Sequence, residues 1–140
     1  NFLKTMLRLA DNKNEIGVVA DQIGSPTCAW DLAAATVSII DRLVNGCEDG
    51  FGLYHATNTG VTSWHGFAEK IFELTGHTGV TVFPICTEEY PTPARRPAYS
   101  VLSCERLRRV FGITMPDWQD AAARCLKRLE RESITRFTNS

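Results

Sequence analysis

A chain of 140 residues that is 44% hydrophobic is enough for one ordinary domain with a buried core. Its 15 basic and 16 acidic residues leave a net charge of -1, which excludes an overall field that would gather nucleic acid or a membrane surface. Five cysteines form an odd set with no C-x-x-C pair, which argues for reduced thiols over a disulfide framework; no apolar run reaches the ~18 residues a membrane span needs.

Phe2, Met6 and Leu9, flanked by Leu3, Leu7 and Ala10, recur at helical spacing and predict a helix over 1–10, ended by Asp11–Asn14. Ile16–Ala20 reads as a short buried strand. Gly24-Ser25-Pro26 makes a turn, and Asp31 is the expected N-cap of a helix over 32–44 that buries Leu32, Ala35, Ile39 and Leu43. A turn over Asn45–Gly52 leads to a predicted strand, Leu53–Ala56. Ser63 caps a third helix with Trp64, Phe67, Ala68, Ile71 and Leu74 on one face, and Gly76 closes it.

Val80–Ile85 is the next strand, and Pro84 assigns it to a sheet edge. The segment Cys86–Pro97 carries three of the six prolines and is a loop. Ser100–Leu102 reads as a brief strand, Ser103 as the cap of a helix over 104–111, and Asp117–Glu132 as a last helix burying Trp118, Ala121, Ala122, Cys125 and Leu129. Residues 133–140 read as a frayed tail. The order is α/β, with about five helices and too few short strands to complete a doubly wound sheet. The first residue is Asn1 rather than Met, so the natural protein is expected to begin earlier.

Two segments carry chemistry. Val18-Val19-Ala20-Asp21-Gln22-Ile23-Gly24-Ser25-Pro26-Thr27 stops a β-branched run at an acid and an amide, then turns on Gly and Pro, as a site wall would. Asp21 and Gln22 there either hydrogen-bond a ligand or hold the adjoining loop, and backbone groups can satisfy Thr27. Pro91-Thr92-Pro93-Ala94-Arg95-Arg96-Pro97 offers two guanidinium groups on a stiffened loop. A planar guanidinium fork suits a diphosphate, and adjacent arginines on extended chain point apart. One of Arg95 and Arg96 is therefore expected at a ligand; the other reading is a pair of exposed arginines or partners for Glu88 or Glu89.

The remaining candidates have bland readings. Trp30, Trp64 and Trp118 read as core, and His55 as a hydrogen-bonded interior residue. The histidines lack zinc-site spacing. The basic residues from Arg106 to Arg131 read as solvated helix faces, interleaved with Glu105, Glu130 and Glu132.

Five segments in this order carry a family resemblance: Asn1-Phe2 with Thr5-Met6-Leu7, Val19–Thr27, Gly52-Leu53-Tyr54-His55, Ser63-Trp64 with Phe67-Ala68, and Pro91–Pro97 with Ser100-Val101-Leu102. Over about residues 1–130 the chain resembles the C-terminal, substrate-binding portion of the dTDP-4-dehydrorhamnose reductases, which are extended short-chain dehydrogenase/reductases. The resemblance implies a lobe, residues 1–132, of a larger bacterial cytoplasmic enzyme whose N-terminal Rossmann domain binds NADPH. It implies hydride transfer to the C4 carbonyl of dTDP-6-deoxy-L-lyxo-4-hexulose to give dTDP-L-rhamnose for polysaccharides, with a Tyr-x-x-x-Lys pair supplying the proton.

The resemblance places Gln22, Pro26 and Thr27 in the sugar pocket with Asp21 behind them. Arg95, Arg96 and Ser100 complete the candidate substrate-binding set. The expected partners are the nucleotide sugar, the Rossmann domain of the parent protein and a second copy in a homodimer, with neither nucleic acid nor membrane. Mg2+ is used in the family, but no residue here is assigned to it.

The sequence departs from the family at the cofactor. No G-x-x-G-x-x-G loop is present, and the residues four after Tyr54, Tyr90 and Tyr99 are Asn58, Ala94 and Ser103, not lysine. No catalytic, cofactor-binding or metal residue is assigned, and the chain alone is expected to be inactive and to bind no NADPH. The alternatives are a lobe of another nucleotide-sugar reductase or epimerase, and a non-catalytic regulatory subunit of the same fold.

Overall fold

The computed structural model of the chain describes residues 1–46 and 50–138, with side chains described as far as Arg131. The centre of the predicted Asn45–Gly52 turn, with Cys47, lies outside the described residues. The elements run α1 (Phe2–Ala10), β1 (Glu15–Val19), β2 (Ile23–Gly24), α2 (Ala29–Val44), β3 (Thr62–Ser63), α3 (Trp64–Thr75), β4 (Thr81–Ile85), α4 (Glu105–Phe111) and α5 (Trp118–Thr138). Among the described residues there are thus five helices and four short strands, the α/β class read from the sequence. No helix is long and apolar enough to cross a membrane.

The strands form two small sheets. β1 and β4 pair in parallel, from Glu15 opposite Thr81 to Val19 opposite Ile85. Pro84 lies opposite Val18 in this two-stranded ladder, where each strand keeps an open edge among the described residues. β2 and β3 pair antiparallel through Ile23–Ser63 and Gly24–Thr62.

The helices close on two cores. The larger packs Leu3 and Met6 of α1, Ile16 and Val18 of β1, the α3 stripe Phe67, Ala68, Ile71 and Phe72, and Trp118, Ala122 and Leu126 of α5. The rings of Phe67 and Trp118 meet edge to face at 5.7 Å. The smaller core joins Ala35 of α2 to Leu107, Phe111 and Met115, with Ile39, Leu43 and Tyr54 against it. Caps follow the sequence at α3, where Ser63 Oγ accepts from Gly66 N at 3.0 Å and Gly76 takes the left-handed C-cap conformation.

Several expectations are corrected. Leu53–Ala56 is not a strand: Leu53 and His55 face out while Tyr54 and Ala56 pack inward, but no neighbouring strand lies beside them among the described residues. Alternation fixes the faces of a segment and not its partner. His55 is consequently exposed rather than interior.

α2 starts at Ala29, and its N-cap is Cys28, so Asp31 sits inside the first turn. The Asn58 side chain from a distant loop accepts from Cys28 N at 2.7 Å, and its Nδ2 donates to Asp31 Oδ2 at 2.8 Å, so the acid serves a tertiary contact rather than the cap. Leu32 and Leu74 are 42% and 39% exposed rather than buried. The Ser100–Leu102 strand is displaced to a bridge between Tyr99 and Ile23. α4 is capped by Cys104, with Ser103 Oγ only 3.4 Å from Glu105 N. Helical backbone in α5 continues past Glu132 to Thr138, while the side chains of the predicted frayed tail lie outside those described.

Candidate functional site

The parallel β1–β4 pair brings two strand ends together, and the site begins at their carboxyl ends, where ligands of open α/β sheets characteristically bind. Asp21 and Gln22 follow β1, and Thr87 follows β4 in a short 3-10 turn, Thr87–Glu89. Thr87 Oγ1 donates to Asp21 Oδ1 at 2.7 Å, and Thr87 N donates to Asp21 Oδ2 at 3.1 Å. Gln22 Nε2 donates to Thr87 Oγ1 at 3.1 Å, while Gln22 Oε1 accepts from Trp64 Nε1 at 3.2 Å. A chain Asp21–Thr87–Gln22–Trp64 therefore fixes the amide.

The Thr87 hydrogen bonds, first from its hydroxyl and then from its amide, hold the Asp21 carboxyl below its ordinary value. A lowered carboxyl favours the fold at pH values above about 3.9 and loses that contribution as pH falls through its folded pKa. Thr87→Val is expected to return Asp21 toward its ordinary titration, observed by NMR of the side-chain carboxyl. An unchanged titration would remove the Thr87 hydroxyl as the leading cause.

Gly24 and Pro26 shape the next wall. Ser100 N and Oγ both donate to Ile23 O, at 2.9 and 3.1 Å, and a Cβ on Gly24 would lie 2.9 Å from Ser100 Oγ. A side chain at position 24 would push the Ser100 hydroxyl out of this contact. Ser25 Oγ donates to Gly60 O at 2.8 Å and anchors the turn to the loop before β3.

These elements enclose an open cleft of about 390 Å³ whose wall includes Gln22, Pro26, Thr57, Trp64, Arg96 and Ser100. The volume lies in the range of small-molecule sites. Arg96 reaches this wall and Arg95 does not. Both are exposed, and neither pairs with Glu88 or Glu89; Glu89 Oε2 instead accepts from Cys86 N at 2.7 Å. Thr27 lies outside the first cleft, with its hydroxyl donating to Ser25 O at 3.0 Å and accepting from Asn58 N at 3.2 Å. It lines a second cleft of about 540 Å³ that shares Pro26 and Trp64 with the first.

Trp64 corrects the core reading. It is 40% exposed, stands at the first residue of α3 and serves the site through its indole N–H. Trp30 is 57% exposed, with the Arg128 guanidinium 4.3 Å from its ring centre, whereas Trp118 is buried as expected. Sequence reading missed Thr87, Thr57 and Thr62, because the β1–β4 and β2–β3 pairings bring their segments in from afar. It also missed Asn58, the buried polar side chain, 1% exposed, that ties the turn to α2 and to Pro116.

Gly50 and Gly52 do not open onto a ligand. A Cβ on Gly50 would meet Leu43 and Phe111, and one on Gly52 would meet Arg106, so these glycines serve internal packing. Asp21, Cys86 and Glu88 bring ligand atoms within 4.8 Å of one another at the surface. Desolvation and then the neighbouring carboxylates, Glu89 foremost, push the Cys86 thiol up, against the thiolate a metal requires. Mg2+ favours oxygen donors, so no metal is assigned.

A family model described as the RmlD substrate binding domain matches residues 1–131. A dTDP-4-dehydrorhamnose reductase of Sinorhizobium fredii is 45% identical over 129 residues, covering 89% of this chain and 43% of that protein. Among solved structures, a dTDP-4-dehydrorhamnose reductase from Clostridium acetobutylicum superposes with a TM-score of 0.82 at 39% identity, covering 93% of this chain and 44% of that one. The same reductase from Bacillus anthracis, solved in complex with NADP, gives a TM-score of 0.77 at 43% identity, covering 89% and 42%. The chain spans less than half the length of these relatives.

Proposed function

The chain belongs to the RmlD substrate binding domain family, and from that premise we propose that it is the sugar-holding lobe of a dTDP-4-dehydrorhamnose reductase. The reaction of the whole protein is reduction of the C4 ketone of dTDP-4-dehydro-L-rhamnose to dTDP-L-rhamnose, with NADPH as reductant. The nucleotide-diphosphate sugar lies along the 390 Å³ cleft. Gln22 orients sugar hydroxyls, Pro26 and Ser100 shape the wall, Thr27 stands at the rim, and Arg96 takes the diphosphate. Of the adjacent arginines, Arg95 carries no contact to the ligand.

The observation that carries this reading is the convergence of Arg96, the Gln22–Pro26 rim and Ser100 on one cleft, although Ser100 and its partner Ile23 stand 77 positions apart in sequence. Gln22 arrives already held by Thr87 and Trp64, so little order remains to be imposed when a ligand binds. An exposed guanidinium without a carboxylate partner is ready for an anion.

The cofactor and the proton donor belong to the N-terminal Rossmann part of the parent protein, and that protein works as a cytoplasmic enzyme, as a homodimer. The 140-residue chain, purified alone and mixed with NADPH and the keto-sugar, is expected to leave NADPH absorbance unchanged. The parent protein carrying this chain is expected to consume NADPH in step with sugar reduction. NADPH oxidation by the isolated chain, or none by the parent, would overturn the assignment.

A further inference from the structure

We propose that Cys28 and Cys125 form a reversible disulfide that fastens the start of α2 to α5. Their sulfurs lie 3.0 Å apart although 97 positions separate them in sequence. Two further contacts hold the same approach. Arg124 Nη2 donates to both carboxylate oxygens of Asp31, at 2.7 and 2.6 Å, and the Arg128 guanidinium stacks 4.3 Å from the Trp30 ring centre. Positions 124, 125 and 128 thus meet 28, 30 and 31 in a single helix contact. The thiols are brought together by charge and stacking on either side of them, so closing the bond asks for little movement.

The other described cysteines are held elsewhere. Cys104 accepts from Thr57 N at 3.3 Å, and Cys86 stands among Asp21, Glu88 and Glu89. Cys28 is buried and Cys125 half-buried, and both line the 540 Å³ cleft, which gives an oxidant its route. Burial, then the Cys28 sulfur, pushes the Cys125 thiol up to about 12. It therefore stays protonated at neutral pH, and the first exchange is slow while the second, between held neighbours, is fast.

With glutathione disulfide as oxidant the chemistry balances. Cys125 loses its proton to solvent and attacks one glutathione sulfur, forming a mixed disulfide and releasing one glutathione thiolate. Cys28, deprotonated in turn, attacks the Cys125 sulfur, forms the Cys28–Cys125 bond and releases the second glutathione thiolate. Two protein thiols are oxidised and one glutathione disulfide is reduced to two thiols. Because Cys28 directly follows the Gly24–Thr27 turn, oxidation would lock that turn and the lip shared by the two clefts to α5.

The test is equilibration of the 140-residue chain in excess glutathione disulfide, followed by acid quenching, digestion and mass spectrometry. The expected product is a peptide linking Cys28 to Cys125, lighter by two hydrogens than the separate thiols and reversed by dithiothreitol. Its closure of a long loop is expected to raise the Tm by roughly 5–10 °C. In Cys28→Ser, Cys125 is expected to stop at a single glutathione adduct, and the Tm rise is expected to vanish. Free thiols at both positions, separate glutathione adducts on each, or linkage through other cysteines would overturn the proposal. These readings require no substrate, so they stand or fall apart from the assignment of the sugar cleft.

Discussion

Replacing Arg96 with alanine in the parent protein is expected to raise KM for the nucleotide sugar roughly 10- to 100-fold while kcat changes little, the size of one lost charge-assisted hydrogen-bond pair. The diphosphate is remote from the ketone that reacts, so its recognition is felt equally in the ground and transition states and appears in KM. Arg96→Lys is expected to recover only part of the loss, because an ammonium keeps the charge without the planar fork. Arg95→Ala is the internal control, since Arg95 stands outside the cleft wall and its loss is expected to leave both constants near their starting values. Steady-state kinetics with the keto-sugar as varied substrate reads all three. A large KM effect at position 95 with none at 96 would reverse the assignment.

How far the sequence carried depends on whether a residue's role is local. Ser63 and Gly76 bound α3 through bonds to residues a few positions away, and a single pass along the chain finds them. The α3 stripe Phe67, Ala68 and Ile71 follows from periodicity alone. The candidate site was legible on the same terms. Gln22 and Pro26 sit on one turn, and alternation along extended chain left one of two adjacent arginines for the cleft. What alternation does not encode is which arginine, or which strand lies next door.

The illegible part is the part made by distant pairing. Leu53–Ala56 has the alternation of a strand and no neighbour to complete it among the described residues. Trp64 reads as core because it opens an apolar stripe, yet the β2–β3 pairing places it at the mouth of the cleft beside Gln22, 42 positions away. Asp31 reads as a cap because acids favour that position, yet the helix opens at Ala29 and the Asp31 carboxylate is engaged by Asn58 Nδ2 and Arg124 Nη2 from distant segments. In each case a short-range preference met a long-range contact and yielded to it.

Asn58 shows that competition at its strongest, and Asn58→Ala is expected to lower stability by about 2–4 kcal/mol. Its side chain is satisfied on every side: Oδ1 accepts from Cys28 N at 2.7 Å, and Nδ2 donates to Asp31 Oδ2 at 2.8 Å and to Pro116 O at 2.9 Å. Removing the amide leaves the buried Cys28 N–H without a partner, at a cost of about 1–3 kcal/mol, and takes one donor each from Asp31 and from Pro116 O, which keeps Thr59 N. The neighbouring backbone repeats the tie, with Thr59 N donating to Pro116 O at 2.8 Å and Trp118 N to Thr59 O at 3.0 Å. The loop, the start of α2 and the start of α5 are therefore expected to loosen together.

Asn58→Asp supplies the sharper test because it keeps the shape and changes the charge. A carboxylate there would face Asp31 and lose both donated bonds, so burial and like charge would raise its folded pKa above the unfolded value of about 3.9. A raised carboxyl opposes folding when ionised, so this variant is expected to be least stable at neutral pH and to regain stability as pH falls toward its folded pKa. Urea denaturation at about pH 7 and about pH 5 measures the difference. A variant within about 0.5 kcal/mol of the parent at both values would show that the Asn58 contacts do not hold these three segments.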